Sequence, residues 1–154
     1  MRSLPVVTLL AVLCSISVST QEALPNPISA AYATTLSSLQ TARSPQDIHR
    51  MVEAMDAPDW VSIAPTGEHM SRSEAEKQLA GLLSIPTGQR PIPNQKLIYA
   101  SQHGSHLLAV YWVYRTTPQG AVGSIVRDSW SQTPAGWRRS MHEKLFPDRL
   151  LTLP

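Results

Sequence analysis

The sequence has little cysteine and few charged residues. Of its 154 residues, one is cysteine (Cys14) and 16% are charged. Cys14 lies in the N-terminal stretch that we interpret below as a cleaved signal. The mature protein would then have no disulfide, no thiolate metal ligand and no cysteine nucleophile. The apolar fraction of 42% is nevertheless that of a globular protein, and the length predicts one domain.

Several motifs that carry chemistry are also missing. The chain has no Gly-x-Ser-x-Gly elbow, no phosphate-binding loop and no dinucleotide-type glycine pattern, so we predict no nucleotide cofactor. The net charge is only +2, and no Lys/Arg stripe with interleaved aromatic residues occurs, so nucleic acid is not an expected partner. His103 and His106 lie three apart in a predicted turn without a neighbouring carboxylate, and we expect no metal site there.

The N-terminus is typical of a secretory signal. Arg2 supplies a positive charge, Val6 to Val18 form an apolar stretch, and Ser17 and Ser19 are the small residues that a signal peptidase prefers. The stretch is shorter than the roughly 17–25 residues of a transmembrane helix, so we expect no stable membrane span. The prediction is a protein exported to the periplasm or the extracellular space, with an uncleaved anchor as the alternative. Residues 1–19 would be the signal, 20–27 a flexible lead, 28–147 the folded domain and 148–154 a C-terminal tail.

Three helices are predicted in the first half of the domain. Apolar residues at three- and four-residue spacing predict the first helix over about 28–41. Ser44 followed by Pro45 and Asp47 predicts the start of the second helix. The capping-box pattern of Ser71 and Glu74 predicts the start of the third. A short strand over 59–63 and a turn at 65–67 lie between the second and third helices.

Four long strands follow, over about 95–101, 107–116, 121–132 and 137–146. Each pair of consecutive strands is joined by a short turn, and the last two turns contain Pro and Gly in favoured positions. Short turns make consecutive strands antiparallel neighbours, and long strands twist and coil. We therefore predict an α+β fold: a cone-shaped roll of a curved antiparallel sheet of four to six strands, wrapped round the three helices, with a small pocket at its open end.

This order of elements resembles the nuclear transport factor 2-like superfamily. The resemblance is carried by Asp59-Trp60-Val61-Ser62 with Pro65-x-Gly67 and Arg72-x-Glu74, and by Arg127-Asp128-Ser129-Trp130 with Gly136-Trp137-Arg138. It spans about residues 28–145 and is strongest to small exported members related to polyketide cyclases. The resemblance implies a conical pocket, frequent homodimers through the sheet and diverse uses, from isomerases, cyclases and dehydratases to proteins that only bind. Function therefore has to be argued from the site.

Strand parity selects the first candidate residues. Asp128 and Trp130 share a strand face with Val126, so an acid and an aromatic side chain would line the pocket if that face is the inner one. Enzymes of the superfamily often use a pocket carboxylate as the general base. Against apolar walls such a carboxylate would have a raised pKa, which suits that task. The alternative is that Asp128 pairs with Arg127, Arg138 or Arg139 and only stabilises the sheet.

The other candidates are one histidine and several aromatic residues. His142 and Glu143 face opposite ways on the last strand, and His142 is the candidate for proton transfer beside Asp128. Tyr32, Trp60, Tyr99, Tyr111 and Trp130 are the candidate ligand-binding residues, with Tyr114 as a further phenol. The alternative for each aromatic residue is a structural role in the core.

Three functions remain open at this level. The first is an exported domain that binds a small apolar or aromatic ligand. The second is a cofactor-free acid–base enzyme in which Asp128 is the base and Tyr32 or His142 assists. The third is an accessory domain whose sheet binds another protein or a second copy of the chain. Whether the protein is an enzyme is left undecided.

Overall fold

A computed structural model describes residues 26–152. In this range three helices precede most of the sheet: α1 (Asn26–Thr41), α2 (Pro45–Met55) and α3 (Arg72–Gly81), the last continued by a 3-10 turn at Leu82–Ser84. The seven strands are β1 (Asp56–Ile63), β2 (His69–Ser71), β3 (Asn94–His103), β4 (His106–Thr117), β5 (Gly120–Thr133), β6 (Gly136–Lys144) and β7 (Arg149–Leu151). The predicted signal and most of the predicted lead lie outside the described residues and remain predictions.

The predicted starts of the second and third helices are confirmed. Ser44 caps α2 by accepting a hydrogen bond from the Asp47 backbone N–H, and the Asp47 carboxylate accepts one from the Ser44 backbone N–H. Ser71 and Glu74 form the same reciprocal pair at the start of α3. Each box satisfies backbone donors that the first turn of a helix leaves without an intrahelical partner. The first helix begins at Asn26, within the segment predicted as a flexible lead.

The sheet is an antiparallel meander of the four long strands with additions at its edges. Its strand order is β2-β1-β6-β5-β4-β3, with β7 paired to β5. Two features differ from the sequence prediction. The short strand β1 is three residues longer and pairs parallel to β6, so the sheet is mixed. Residues 149–151 of the predicted tail form β7, because Gly123 and its neighbours extend β5 beyond the end of β6 and leave backbone groups for it to pair with.

The helices pack on one face of this sheet, which we call the inner face. Ile28 and Tyr32 of α1 lie in a buried cluster with Tyr111 of β4 and with Val126 and Trp130 of β5. A second buried cluster joins the three helices to each other and contains Ile48, Met51 and Val52. Leu79, Leu82 and Leu83 are partly buried and pack against this second cluster. Within residues 26–152, no helix is both long and apolar enough to cross a membrane.

Candidate functional site

The inner face of β5 carries a fully buried acid. Val126, Asp128 and Trp130 alternate along the strand and are all buried, as parity predicted. Asp128 has no solvent-exposed surface at all. Burying an isolated carboxylate is costly, so its partners decide what this residue does.

Both oxygens of Asp128 are engaged by neighbouring side chains. Oδ2 accepts hydrogen bonds from the phenol of Tyr32 and, at 2.5 Å, from the phenol of Tyr111. The two phenol oxygens are themselves 2.5 Å apart. Oδ1 lies 2.8 Å from Nδ1 of His142 on the neighbouring strand. Four elements, α1, β4, β5 and β6, therefore converge on one carboxylate.

A buried arginine joins this carboxylate to a second acid. Nη1 of Arg139 is 3.4 Å from Oδ2 of Asp128, whereas Nε and Nη2 contact the two oxygens of Asp56 at 2.8 and 3.3 Å. The guanidinium also lies 5.3 Å from the ring centre of Trp60, a cation–π contact. We call Tyr32, Asp56, Tyr111, Asp128, Arg139 and His142 together the Asp128 cluster.

A β-bulge brings two members of this cluster onto the same face. Arg139 and His142 are three residues apart, and in a regular strand they would point in opposite directions. The register between β5 and β6 shifts at this point: Ser129 pairs with Met141, but Trp130 pairs with Arg139. Ser140 is the extra residue, and it restores Arg139 to the inner face.

Sequence reasoning found part of this cluster. It selected Asp128, His142, Tyr32 and Tyr111, and it considered Arg139 only as a structural ion-pair partner. Asp56 was missed because the strand was predicted to begin at residue 59. The last turn of α2 has no basic residue and no glycine follows it, so neither of these local signals marked the start of β1 at Asp56.

The electrostatics of the two acids differ. Burial acts to raise the pKa of Asp128, but Arg139, the hydrogen bond from His142 and the phenol of Tyr111 outweigh it, and the pKa lies below its usual value. The expectation of a raised pKa for Asp128 is therefore wrong, because its walls are polar. For Asp56, burial outweighs the attraction of Arg139, and the pKa is raised. Burial and the charge of Asp128 raise the pKa values of Tyr32 and Tyr111 well above their usual range.

His142 is the member of the cluster with the most solvent contact. Its side chain is 27% exposed, against 10% for Arg139 and 0% for Asp128. Its Nδ1 faces Asp128, and among the described residues Nε2 has no hydrogen-bond partner. Glu143 faces the other way and pairs with Arg127, so the predicted opposition of His142 and Glu143 is confirmed. An imidazole with one nitrogen fixed and the other available can exchange a proton with a bound molecule.

Among the aromatic candidates, Tyr99 does not lie on the inner face. Leu97 pairs with Tyr111 but Tyr99 pairs with Val110, so a bulge at Ile98 reverses the parity and leaves Tyr99 53% exposed on the opposite face. Trp60 and Trp130 are buried beside the Asp128 cluster, and Trp130 packs edge-on against Tyr32 at 5.3 Å. The indole N–H groups of Trp60 and Trp130 have no acceptor among the described residues.

Of three surface depressions on the described part of the chain, none is lined by a member of the Asp128 cluster, but one is separated from the cluster by a single cross-strand pair. It has a volume of about 510 Å³ and lies between α3 and the β1–β2 edge, and Ser62 is one of its lining residues. Ser62 is the direct cross-strand neighbour of His142. The cluster side chains themselves fill the inner face, and the predicted conical pocket stays a prediction. Within residues 26–152, no group of three or more His, Asp or Glu side chains is arranged to hold a metal ion.

Comparison with known proteins identifies the fold. No family model and no curated protein matches the sequence. Solved structures do match: an NTF-2-like protein of unknown function from Pseudomonas aeruginosa has a TM-score of 0.56 at 12% identity over 79% of this chain and 96% of its own. An NTF2-like protein from Cytophaga hutchinsonii has a TM-score of 0.56 at 13% identity over 82% of this chain and 100% of its own.

A third structure with this fold has a different description. It is a putative calcium/calmodulin-dependent protein kinase II association domain from Xanthomonas campestris, with a TM-score of 0.53 at 18% identity over 80% of this chain and 91% of its own. The chain therefore has the nuclear transport factor 2-like fold, an α+β cone. At these identities the likeness concerns the fold alone, and the site has to supply the function.

Proposed function

We propose that this protein is a cofactor-free acid–base enzyme in which His142 transfers the proton. The observation that carries the proposal is the contact of 2.8 Å between Nδ1 of His142 and Asp128, which fixes the imidazole while its other nitrogen stays available. Two buried acids with pKa values shifted in opposite directions stand in the same cluster, a pattern typical of acid–base sites.

The roles follow from which atoms are free. Asp128 is surrounded by donors to both oxygens, so it cannot reach a substrate, and we assign it to positioning rather than to the base. Its carboxylate accepts the Nδ1–H of His142 and thereby leaves the lone pair of Nε2 to accept a proton. Once His142 is protonated, Asp128 stabilises the charge and Nε2 can return the proton elsewhere on the same molecule. Proton removal and return of this kind serve isomerisation, cyclisation or dehydration.

The test of this proposal is His142→Gln, which keeps a polar side chain of similar size and removes the titrating nitrogen. With a substrate found by screening small carbonyl and hydroxy compounds, we expect kcat to fall about 100- to 10,000-fold. His106→Gln, on an exposed hairpin turn, is the matched control and should leave kcat unchanged. Full turnover by the His142→Gln protein would rule out the assigned role.

The second candidate is a binding protein for a small apolar or aromatic ligand. It is favoured by the aromatic side chains of Tyr32, Trp60, Tyr111 and Trp130 around the cluster. A binding protein would take up the same ligand with equal affinity in the wild-type and His142→Gln forms and release it without chemical change. Calorimetry combined with product analysis separates the two candidates.

We also propose a homodimer through the outer face of the sheet. Ile98 and Tyr99 are 46% and 53% exposed there, and Leu108, Val110 and Trp112 of the neighbouring strand are only partly covered. Exposed apolar surface of this kind is typical of protein interfaces. Light scattering should give the mass of two chains, and Tyr99→Lys should shift it toward one chain. A wild-type protein of single-chain mass at high concentration would contradict the dimer.

A further inference from the structure

The position of Arg139 creates a competition for one nitrogen atom. Nη1 of Arg139 is 3.3 Å from Nδ1 of His142, and Oδ1 of Asp128 is 2.8 Å from the same nitrogen. The two contacts demand opposite states of the ring. Nδ1 must carry a proton to donate to Asp128, but it must present a lone pair to accept from Arg139. Whichever partner holds Nδ1 therefore decides which nitrogen of the neutral ring is protonated.

Asp56 biases this competition from the far side of the guanidinium. Its two oxygens bind Nε and Nη2 of Arg139, the fork geometry in which arginine binds a carboxylate most strongly. This pair holds the guanidinium toward β1, and the remaining Nη1 reaches Asp128 only at 3.4 Å. Asp56 is itself buried, and the backbone at this point is fixed because Asp56 pairs with Arg139 across β1 and β6.

We propose that Asp56 is a positioning residue: it binds Nε and Nη2 of Arg139 and so limits Nη1 to a 3.3 Å contact with Nδ1 of His142. Asp128, at 2.8 Å, then takes the Nδ1 proton, and the Nε2 lone pair is left free. The inference rests on the proposed function in one respect only, that Nε2 is the atom which accepts the proton. Asp128 of β5 and Arg139 of β6 contact His142 directly. Tyr32 of α1 and Tyr111 of β4 contact Asp128, and Asp56 of β1 contacts Arg139. Lys144, two residues further along β6, is paired with Asp148.

The test is the protonation state of the His142 ring, measured by NMR of its two nitrogens in the full chain at mildly alkaline pH. The His142→Gln spectrum identifies the signals. In the wild type we expect Nδ1 to carry the proton. In Asp56→Asn, which keeps the shape and removes the charge, the ratio of the Nδ1–H form to the Nε2–H form should fall about tenfold.

Two further variants distinguish the positioning of Arg139 by Asp56 from the electrostatic effect of a nearby negative charge on the ring. Asp59→Asn removes an exposed acid from the same strand and should leave the ratio unchanged. In the Arg139→Lys background the fork is lost, so adding Asp56→Asn should change the ratio less than threefold. An unchanged ratio in Asp56→Asn, or an equal change in both backgrounds, would overturn the proposal. If Asp56→Asn does not fold, Asp56→Glu takes its place. We then expect an intermediate fall in the ratio of the Nδ1–H form to the Nε2–H form, and an unchanged ratio would contradict the proposal.

This measurement is independent of any substrate. A failure of the His142→Gln activity test would remove the enzyme assignment and leave the ring measurement intact. Conversely, an active enzyme whose His142 ring does not respond to Asp56→Asn would retain the proposed function and lose this inference.

Discussion

Asp128→Asn is expected to lower the free energy of unfolding by about 3–5 kcal/mol, the range found when one partner of a buried ion pair is removed. The substitution keeps the shape of the side chain but leaves Arg139 with Asp56 alone. It also replaces one acceptor oxygen by an NH2 group, which faces donors that have lost their acceptor. Urea unfolding of the wild type and the variant at neutral pH measures the difference.

The next cross-strand pair of β5 and β6 provides a matched control. Arg127 of β5 and Glu143 of β6 form an ion pair on the outer face, where the arginine side chain is 44% exposed. The Glu143 side chain is 21% exposed, so both partners of this pair contact solvent, whereas Asp128 does not. A solvent-screened pair is worth less than a fully buried one, so Glu143→Gln should cost clearly less than Asp128→Asn. Equal losses in Asp128→Asn and Glu143→Gln would contradict the idea that the buried cluster stabilises the fold.

The effect of Asp128→Asn should also depend on pH. Because the pKa of Asp128 is lower in the folded protein than in the unfolded chain, its contribution is present above the unfolded pKa of about 3.9 and is lost as the pH falls through the folded value. The gap between wild type and variant should therefore be wide at neutral pH and narrow in acid. A gap that is constant down to the lowest accessible pH would contradict this assignment of the charge.

The second large expected effect is a loss in the free energy of unfolding at alkaline pH. Tyr32 and Tyr111 have pKa values well above 10 in the folded protein, because burial and the charge of Asp128 oppose their ionisation. Their contribution to stability is fully present below the unfolded pKa of about 10 and is lost as the pH rises toward the folded values. Two such phenols should reduce the free energy of unfolding by about 2.7 kcal/mol for each pH unit above 10.

Single tyrosine substitutions show how much each phenol contributes to this fall in the free energy of unfolding with pH. Tyr111→Phe should remove about half of it, whereas Tyr99→Phe, on the exposed outer face, should leave it unchanged. Urea unfolding at several values between about pH 9 and pH 11 measures the slope, and tyrosinate absorbance reports when the phenols ionise. The same slope in Tyr111→Phe as in the wild type would mean that the buried phenols do not control alkaline stability.

The sequence predicted the elements of the fold because their signals are local. The Ser44 and Ser71 capping boxes and the Pro/Gly turns between the long strands act over three to five residues, and the structure has them where the sequence placed them. β2 and β7 were not predicted because each is only three residues long, and β7 in addition pairs with β5, which is not its neighbour in sequence. The parallel pairing of β1 with β6 has the same cause, since no local signal specifies a partner 80 residues away.

The residues of the candidate site were likewise predicted correctly only where a local signal placed them. Alternation along β5 was sufficient to place Asp128 with Trp130, and alternation along β6 to separate His142 from Glu143. The same rule failed for Tyr99 and could not place Arg139, because a bulge adds one residue and reverses every side chain beyond it. The pKa of Asp128 was predicted in the wrong direction because its donors come from α1, β4 and β6, and none adjoins it in the chain.

The sequence by itself determined the α+β class, the helix caps, the meander and the buried parity of Asp128, since each depends on residues within one or two turns of chain. Tertiary structure alone decided that Arg139 stands between Asp56 and Asp128, and that Asp128 holds His142. The physical reason is that an ion pair inside a protein depends on distances of about 3 Å between elements whose separation in sequence carries no information about their separation in space.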